Sequence, residues 1–151
     1  MRVVVGSDHA GYKLKQYLKD RLTAWGHDVE DVGTHSDERC DYPRFGEAVG
    51  RRVVELGGEA RGVCVCGSGI GISMAANKVA GVRAALVSEP TAAKLSRQHN
   101  DANVVCFGER LIGPAVAEEA LRVWLETPFE GGRHARRVAQ LESIGDGQPK
   151  R

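Results

Sequence analysis

A glycine-rich run, Cys66–Gly71, directly follows a short apolar stretch and reads Cys-Gly-Ser-Gly-Ile-Gly. Where a strand turns into a helix, the backbone N–H groups of such a loop, together with the helix N-terminus, form a cradle for an anion. The alternative is a simple tight turn, but three alternating glycines exceed what a turn needs. The run therefore predicts a site that binds an oxyanion or a phosphate.

Cys66 itself is a candidate for chemistry because a helix N-terminus stabilises a thiolate. Cys64 lies two residues earlier on the same predicted strand, and it fits a small buried hydrophobic residue. The same reading is open for Cys66, although its place at the strand end favours a reactive role.

Acidic and aromatic side chains follow the two preceding strands. Asp8 and His9 come after the first strand, where a carboxylate beside an imidazole suits substrate binding or acid–base work. Asp8 can equally cap the following helix. Asp41 and Tyr42 follow the second strand, where the carboxylate can serve as a cap and the ring as a wall of a pocket.

A basic cluster near the C-terminus offers cations for a phosphate. Arg133 and Arg137 are four residues apart, so they share one face of a helix and can bind a phosphate dianion with forked hydrogen bonds. A solvated charged face is the alternative. Arg110, just beyond the fifth strand, adds a positive charge near the same ligand.

His99 and Asn100 stand at the end of the predicted fourth helix. The helix dipole alone favours a histidine at that position. The sequence therefore leaves two roles open for His99, a cap and a catalyst.

The spacing of these residues does not fit several familiar phosphate-binding motifs. The glycine run lacks the dinucleotide spacing. A cysteine-based phosphatase needs an arginine where Ile72 stands. Near the N-terminus, Tyr12 replaces the lysine that a Walker-type loop requires.

Short β-type runs alternate with helix-type segments along the whole chain. The predicted strands are Arg2–Gly6, His27–Val32, Gly62–Cys66, Val82–Val87 and Asn103–Phe107. The predicted helices run from Gly11 to Trp25, from Pro43 to the Gly57-Gly58 pair, from within Gly67–Gly71 to Lys78, from Pro90 to His99, from Pro114 to Glu126 and from Arg133 to Ser143.

This alternation predicts a single α/β domain: a Rossmann-like, doubly wound, five-stranded parallel sheet with an extra C-terminal helix. Such sheets bind ligands at the carboxyl ends of their strands. We expect the domain to span residues 1–144, followed by a polar tail over 145–151.

Composition narrows the classes of function. The chain has 151 residues and a net charge of +1, from 21 basic and 20 acidic side chains. That balance argues against a nucleic-acid or membrane-surface binder. The four cysteines form no Cys-x-x-Cys pair, which argues against a zinc site, and the N-terminus shows no signal-peptide pattern. We therefore expect a cytoplasmic protein with reduced thiols.

Six motifs occur in an order that identifies a family: Gly6–Gly11, Asp41–Pro43, Cys66–Gly71, Ala75–Lys78, His99–Asn103 and Gly131–His134. The chain resembles the family of type B ribose-5-phosphate isomerases, which also holds galactose-6-phosphate isomerase subunits. The resemblance extends to about Leu141. It implies interconversion of ribose 5-phosphate and ribulose 5-phosphate, a step of the pentose phosphate pathway, without a metal or an organic cofactor.

The resemblance also implies roles for individual residues. Cys66 would move a proton between C2 and C1 through an enediolate, and Ile70 and Ile72 leave no carboxylate in the loop to compete for that role. Ser68 and the N–H groups of Gly67, Gly69 and Gly71 would stabilise the oxyanion. His99 would assist ring opening, and Asp8 would hold the sugar hydroxyls. The remaining expected site residues bind phosphate (His9, Arg110, Arg133 and Arg137) or line the site (Tyr42, Asn100 and His134).

Two alternatives remain at this point. One is an isomerase of a six-carbon sugar phosphate, such as allose or galactose 6-phosphate. The other is a non-catalytic nucleotide-binding module, which would not need Cys66, Asp8 and His99 together.

The predicted topology also has a consequence for assembly. His99 closes a helix that runs back across the sheet, whereas Cys66 ends a strand, so the two belong to opposite edges of one subunit. A helix of about ten residues is roughly 15 Å long, far beyond hydrogen-bond reach. We therefore expect a homodimer, or a dimer of dimers, in which two chains share each active site.

Overall fold

The computed structural model describes residues 1–144, which form a five-stranded parallel sheet in the order β2-β1-β3-β5-β4. The strands are β1 (Arg2–Ser7), β2 (Asp28–Asp31), β3 (Arg61–Cys66), β4 (Ala84–Leu86) and β5 (Val104–Gly108). In this order β3 is the central strand, and the strand order reverses direction between β1 and β3, as in a doubly wound sheet. The predicted fold class is thus confirmed.

Helices connect the strands and cover both faces of the sheet. They are α1 (Tyr12–Ala24), α2 (Pro43–Leu56), α3 (Ile70–Asn77), α4 (Pro90–Asn100), α5 (Pro114–Glu126) and α6 (Arg133–Glu142), and a short 3₁₀ turn (His9–Gly11) precedes α1. Proline opens α2, α4 and α5, where its missing N–H costs nothing. No helix in this part of the chain is long and apolar enough to cross a membrane.

Two apolar layers hold the helices against the sheet. Because side chains alternate along a strand, Val3 and Val5 face one layer and Val4 faces the other. The first layer includes Trp124 of α5, which is fully buried, and the second includes Ile72 of α3. Burial on both faces explains why the central strands are continuously apolar.

Strand boundaries differ from the sequence-based ones mainly at the sheet margins. The predicted strand Val82–Val87 is observed only as β4, and His27–Val32 only as β2. Both are edge strands with a neighbour on one side, so fewer ladder hydrogen bonds hold their ends. The predicted tail, 145–151, lies outside the described residues.

A buried lysine fixes the loop that follows β2. The side chain of Lys15, on α1, is fully buried and pairs with Asp31 (Nζ–Oδ1, 2.7 Å). It also donates to the carbonyl of Thr34. Burial is the main cause that lowers the pKa of Lys15, and the bond to Asp31 opposes it. The loop is held on its other side by Ser7, whose N–H donates to the carbonyl of Gly33 (2.7 Å).

Candidate active site

A cavity of about 300 Å³ opens at the carboxyl edge of the sheet. Its walls come from the segments that follow β1, β3 and β5 and from the start of α2. The lining residues are Asp8, His9, Ala10, Tyr42, Cys66, Gly67, Ser68, Gly71, Arg110 and Leu111. Eight of the fourteen side chains or loop glycines that the sequence assigned to a site therefore meet in one place.

Cys66 is the last residue of β3 and is 4% exposed. The N–H of Gly69 donates to its sulfur (N···Sγ, 3.1 Å), and α3 begins one residue later. A directed N–H and a helix N-terminus together stabilise negative charge on sulfur. Cys66 therefore lies at the cavity wall in surroundings that stabilise its thiolate form.

Two neighbouring cysteines, Cys64 and Cys106, differ from Cys66 because they lie in the core and not at the cavity. Cys64 and Cys106 face each other on β3 and β5 and are fully buried. The hydrogen bond that the Cys106 thiol donates to Cys64, and after it burial, raise the pKa of Cys106 well above its ordinary value. Both side chains pack in the core, and Cys66 is the one of the three that lines the cavity.

The glycine loop lies directly against β5. Gly69 has φ +75°, and a Cβ at this position would come within 2.6 Å of Leu86 and 2.8 Å of the Phe107 backbone. A side chain at Gly108 would meet the backbone of Ser68 in the same way. The close contact between the glycine loop and β5 therefore requires glycine at position 69, and Gly69 does not line the cavity.

Asp8 and His9 occupy the turn after β1. Oδ1 of Asp8 accepts the Gly11 N–H (3.0 Å), so Asp8 caps the following turn while it also lines the cavity. Nδ1 of His9 lies 3.2 Å from the backbone nitrogen of Cys40 and 3.0 Å from its carbonyl oxygen. The loop after β2 therefore holds the imidazole at one nitrogen and leaves Nε2 for a ligand.

Arg110 and Tyr42 flank the glycine loop from two sides. The Arg110 N–H donates to the carbonyl of Gly67 (3.0 Å), and its guanidinium lies over Gly67. Arg110 makes no ion pair with any residue of 1–144, so its charge is available to an anion. The ring of Tyr42 lies directly over Gly71, where a Cβ would be 2.5 Å from it.

The other expected site residues form a second group, away from this cavity. The rings of His99 and His134 stack with centroids 4.4 Å apart and an interplanar angle of 10°. His134 is 6% exposed, and its Nε2 lies 3.4 Å from a carboxylate oxygen of Glu130. Burial, and after it the charge of His99, lowers the pKa of His134. Arg133 and Arg137 share α6 with His134.

The sheet separates the two groups. Cys66 pairs with Gly108 at the carboxyl end of β5, whereas His99 and Asn100 end α4, just before β5 begins. The four steps along β5 span roughly 13 Å. Asn100 lines a different cavity, with Asn77, Arg83 and Leu141. One chain therefore carries both groups but does not bring them together.

His99, Glu130 and His134 have candidate metal-ligand atoms within 4.8 Å of one another. The lone pair of an imidazole nitrogen lies in the ring plane, and the two rings are stacked nearly parallel. Their lone pairs therefore run side by side and do not converge on one ion. This arrangement does not fit a chelating metal site.

Two lining residues were missed by the sequence reasoning, Ala10 and Leu111. Leu111 is 66% exposed although it is large and apolar. Its position directly after Arg110, beyond the end of a strand, is the only signal that the sequence offered. The backbone of Cys40, which holds His9, carries no side-chain signal at all.

The fold and this edge define a class: a Rossmann-like α/β protein with a thiol and an anion cradle beyond the carboxyl ends of its strands. The chain belongs to the Ribose/Galactose Isomerase family, whose model matches residues 3–141.

Named relatives match over nearly the whole chain. The chain is 46% identical to ribose-5-phosphate isomerase B of Escherichia coli, covering 95% of each protein. It is 46% identical to the solved ribose-5-phosphate isomerase B of Clostridium thermocellum (TM-score 0.93), covering 95% of this chain and 97% of that one. It is 37% identical to the Mycoplasma genitalium ribose-5-phosphate isomerase B with bound ribulose-5-phosphate (TM-score 0.91), covering 95% of each.

Proposed function

We propose that this protein is an aldose–ketose isomerase that interconverts D-ribose 5-phosphate and D-ribulose 5-phosphate. The observation that carries the proposal is the sulfur of Cys66, held by the Gly69 N–H at the wall of a cavity lined by Arg110. The family membership and the ribulose-5-phosphate bound to the Mycoplasma genitalium relative support the same reaction.

Proton transfer begins on the open-chain aldose. The Cys66 thiolate removes the proton from C2, and the electron pair of that C–H bond forms a C1–C2 double bond. The π electrons of the C1 carbonyl move onto O1, which gives the enediolate. The proton on the O2 hydroxyl passes to O1, and the Cys66 thiol then returns its proton to C1, which leaves a ketone at C2. In this mechanism one group takes and returns the proton, and no step uses a metal or an organic cofactor.

Charge on the enediolate oxygen is stabilised by the glycine loop. The Ser68 hydroxyl lines the cavity beside Gly67 and Gly71 and accepts the Ile70 N–H (3.2 Å). This bond leaves its own O–H free to donate to the substrate. Donors that are fixed before the charge develops lower the barrier of the step.

The phosphate anchors the end of the substrate that does not react. On this edge, we assign Arg110 and the Nε2 of His9 as donors to the phosphate, and Asp8 as an acceptor from sugar hydroxyls. Tyr42 closes the cavity over Gly71.

We propose further that a second copy of the chain completes each site. His99, Asn100, Arg133, His134 and Arg137 lie at the opposite edge, so a partner in a homodimer would supply them for ring opening and phosphate binding. The outer surface near the glycine loop supports a contact there, because Ile70, Met74 and Leu86 are 45%, 63% and 44% exposed. Two such dimers can associate further.

The setting follows from the same reasoning. We place the enzyme in the cytoplasm, as a step of the pentose phosphate pathway, with residues 1–144 as a single isomerase domain. The free thiols at Cys40, Cys64, Cys66 and Cys106 suit a reducing compartment.

A six-carbon sugar phosphate is the second candidate substrate, because the matching family model covers galactose as well as ribose isomerases. Comparing kcat/KM on ribose 5-phosphate, allose 6-phosphate and galactose 6-phosphate separates the two. We expect the highest value on ribose 5-phosphate.

Proton exchange tests the reaction itself. The enzyme is incubated with ribose 5-phosphate in heavy water, and the recovered sugar is analysed by NMR for deuterium at the carbon next to the carbonyl. We expect enzyme-dependent deuterium there and formation of ribulose 5-phosphate. A nucleotide-binding module would give neither signal, and that result would overturn the proposal.

A further inference from the structure

A separate cavity of about 340 Å³ lies at the amino edge of the sheet, where β3 begins. Its walls include Gly57 and Gly58 after α2, Gly81 before β4, and the side chains of Arg61, Arg83 and Asp101. It shares no residue with the cavity that contains Cys66.

Three guanidinium groups, those of Arg61, Arg83 and Arg97, gather around one carboxylate in this region. Oδ1 of Asp101 accepts from Arg97 (2.7 Å) and Oδ2 accepts from Arg83 (3.2 Å). Arg83 also pairs with Glu142. Both oxygens of Asp101 are therefore engaged, and two of the three cations are balanced.

Arg61 is the cation that remains. Within residues 1–144 its guanidinium makes one hydrogen bond, to the carbonyl of the preceding Ala60 (Nη1–O, 3.1 Å), and it has no ion pair. Burial, followed by the positive charge of Arg97, lowers the pKa of Arg61, and the charges of Asp101 and Glu59 oppose this shift. A partly buried guanidinium that makes no direct ion pair is unfavourable, and a bound anion would relieve it.

We propose that this cavity is a second anion site, in which Arg61 binds a phosphate dianion, either free phosphate or the phosphate of a small ester. The planar fork of a guanidinium matches two phosphate oxygens, which favours phosphate over a spherical anion such as chloride. The cavity volume is at the small end of the range of ligand pockets, which suits phosphate or a short ester.

The test is an NMR titration of the full-length protein with inorganic phosphate and, separately, with glycerol 3-phosphate, at constant ionic strength. The backbone amides of Gly58, Gly81 and Asn103 report on this cavity, and those of Gly67 and Gly71 report on the catalytic one. We expect saturable shifts at the first set, with the tighter of the two ligands identifying the source of the phosphate.

Variants separate the two sites. Arg61→Met should weaken binding at the first set about tenfold or more and leave the shifts at Gly67 and Gly71 unchanged. Arg51→Met removes a surface arginine that is 70% exposed and should change neither. Arg61→Lys keeps the charge but loses the fork, so it should bind more weakly than the wild type even if Arg61→Met does not fold.

The proposal is overturned if the wild type shows no saturable shift at Gly58, Gly81 and Asn103. It is equally overturned if Arg61→Lys and, where it folds, Arg61→Met bind phosphate there as tightly as the wild type. Neither result bears on the isomerase reaction, which depends on the other cavity.

Discussion

The carboxyl and amino edges of this sheet carry different chemical groups. At the carboxyl edge, the thiol of Cys66 and the glycine loop line a cavity. At the amino edge, imidazoles and guanidinium groups gather without a thiol. A parallel sheet sends all its strand ends to one side, so residues that follow strands meet, and residues that end helices meet elsewhere.

Helix dipoles sharpen this contrast. The N-terminus of α3 favours negative charge beside Cys66, and the C-terminus of α4 favours positive charge at His99. Arg133 is different, because it is the first residue of α6, where the dipole disfavours a cation. Its placement there is understandable if the cluster meets an anionic ligand.

The largest effect is expected at the base. Cys66→Ala should lower kcat about a thousandfold or more, because it removes the group that we propose exchanges the C2 proton. Cys64→Ala is the matched control: it should stay active and lose about 1 kcal/mol of unfolding free energy, since it removes a fully buried sulfur. Activity assays and chemical denaturation measure both, and an active Cys66→Ala enzyme would refute the mechanism.

Complementation tests whether the two edges, contributed by different chains, serve one substrate. A mixed dimer of Cys66→Ala and His99→Asn chains contains one site with both residues intact, if sites are shared between chains. We expect about half of the wild-type activity on ring-closed substrate. If the mixed dimer is no more active than its parents, the two edges do not serve one substrate.

The arginines of the amino edge should contribute to binding of the substrate's phosphate. Arg137→Ala should raise KM for ribose 5-phosphate about tenfold or more, because a forked phosphate contact is lost. Arg136, its exposed neighbour on α6, provides the control, and Arg136→Ala should change KM little. Free ribose should be a very poor substrate for all three proteins, and equal KM values would leave the cluster as a solvated face.

The smallest effect concerns pH. Because the pKa of His134 is lowered from 6.5 in the folded chain, the unfolded chain takes up the proton first as pH falls. The free energy of unfolding should therefore decrease as pH drops below about 6.5. Denaturation curves of the wild type and His134→Asn, at about pH 7.5 and at about pH 5, compare this dependence, which the variant should lose in part.

The sequence predicted the fold and the catalytic edge because both depend on local signals. Apolar runs, prolines at helix starts and three alternating glycines are readable without tertiary contacts. The stacking of His99 on His134 was not predictable, because it brings together α4 and a residue 35 positions later, on α6.

The surroundings of Arg61 and Lys15 were likewise not predictable from the sequence. A charged residue in an amphipathic helix or at a strand start is normally expected in solvent. Only the packed structure shows that Lys15 is buried against Asp31 and that Arg61 makes no ion pair within residues 1–144.

Chemical labelling of Lys15 would also measure the local unfolding of α1. Acylating reagents need a neutral amine that they can reach, and the Lys15 side chain is fully buried and held by Asp31 and Thr34. Lys13, two residues earlier on the same helix, is exposed. In a mass-spectrometric labelling time course, Lys13 would record reagent chemistry and Lys15 would record how often α1 detaches from the sheet.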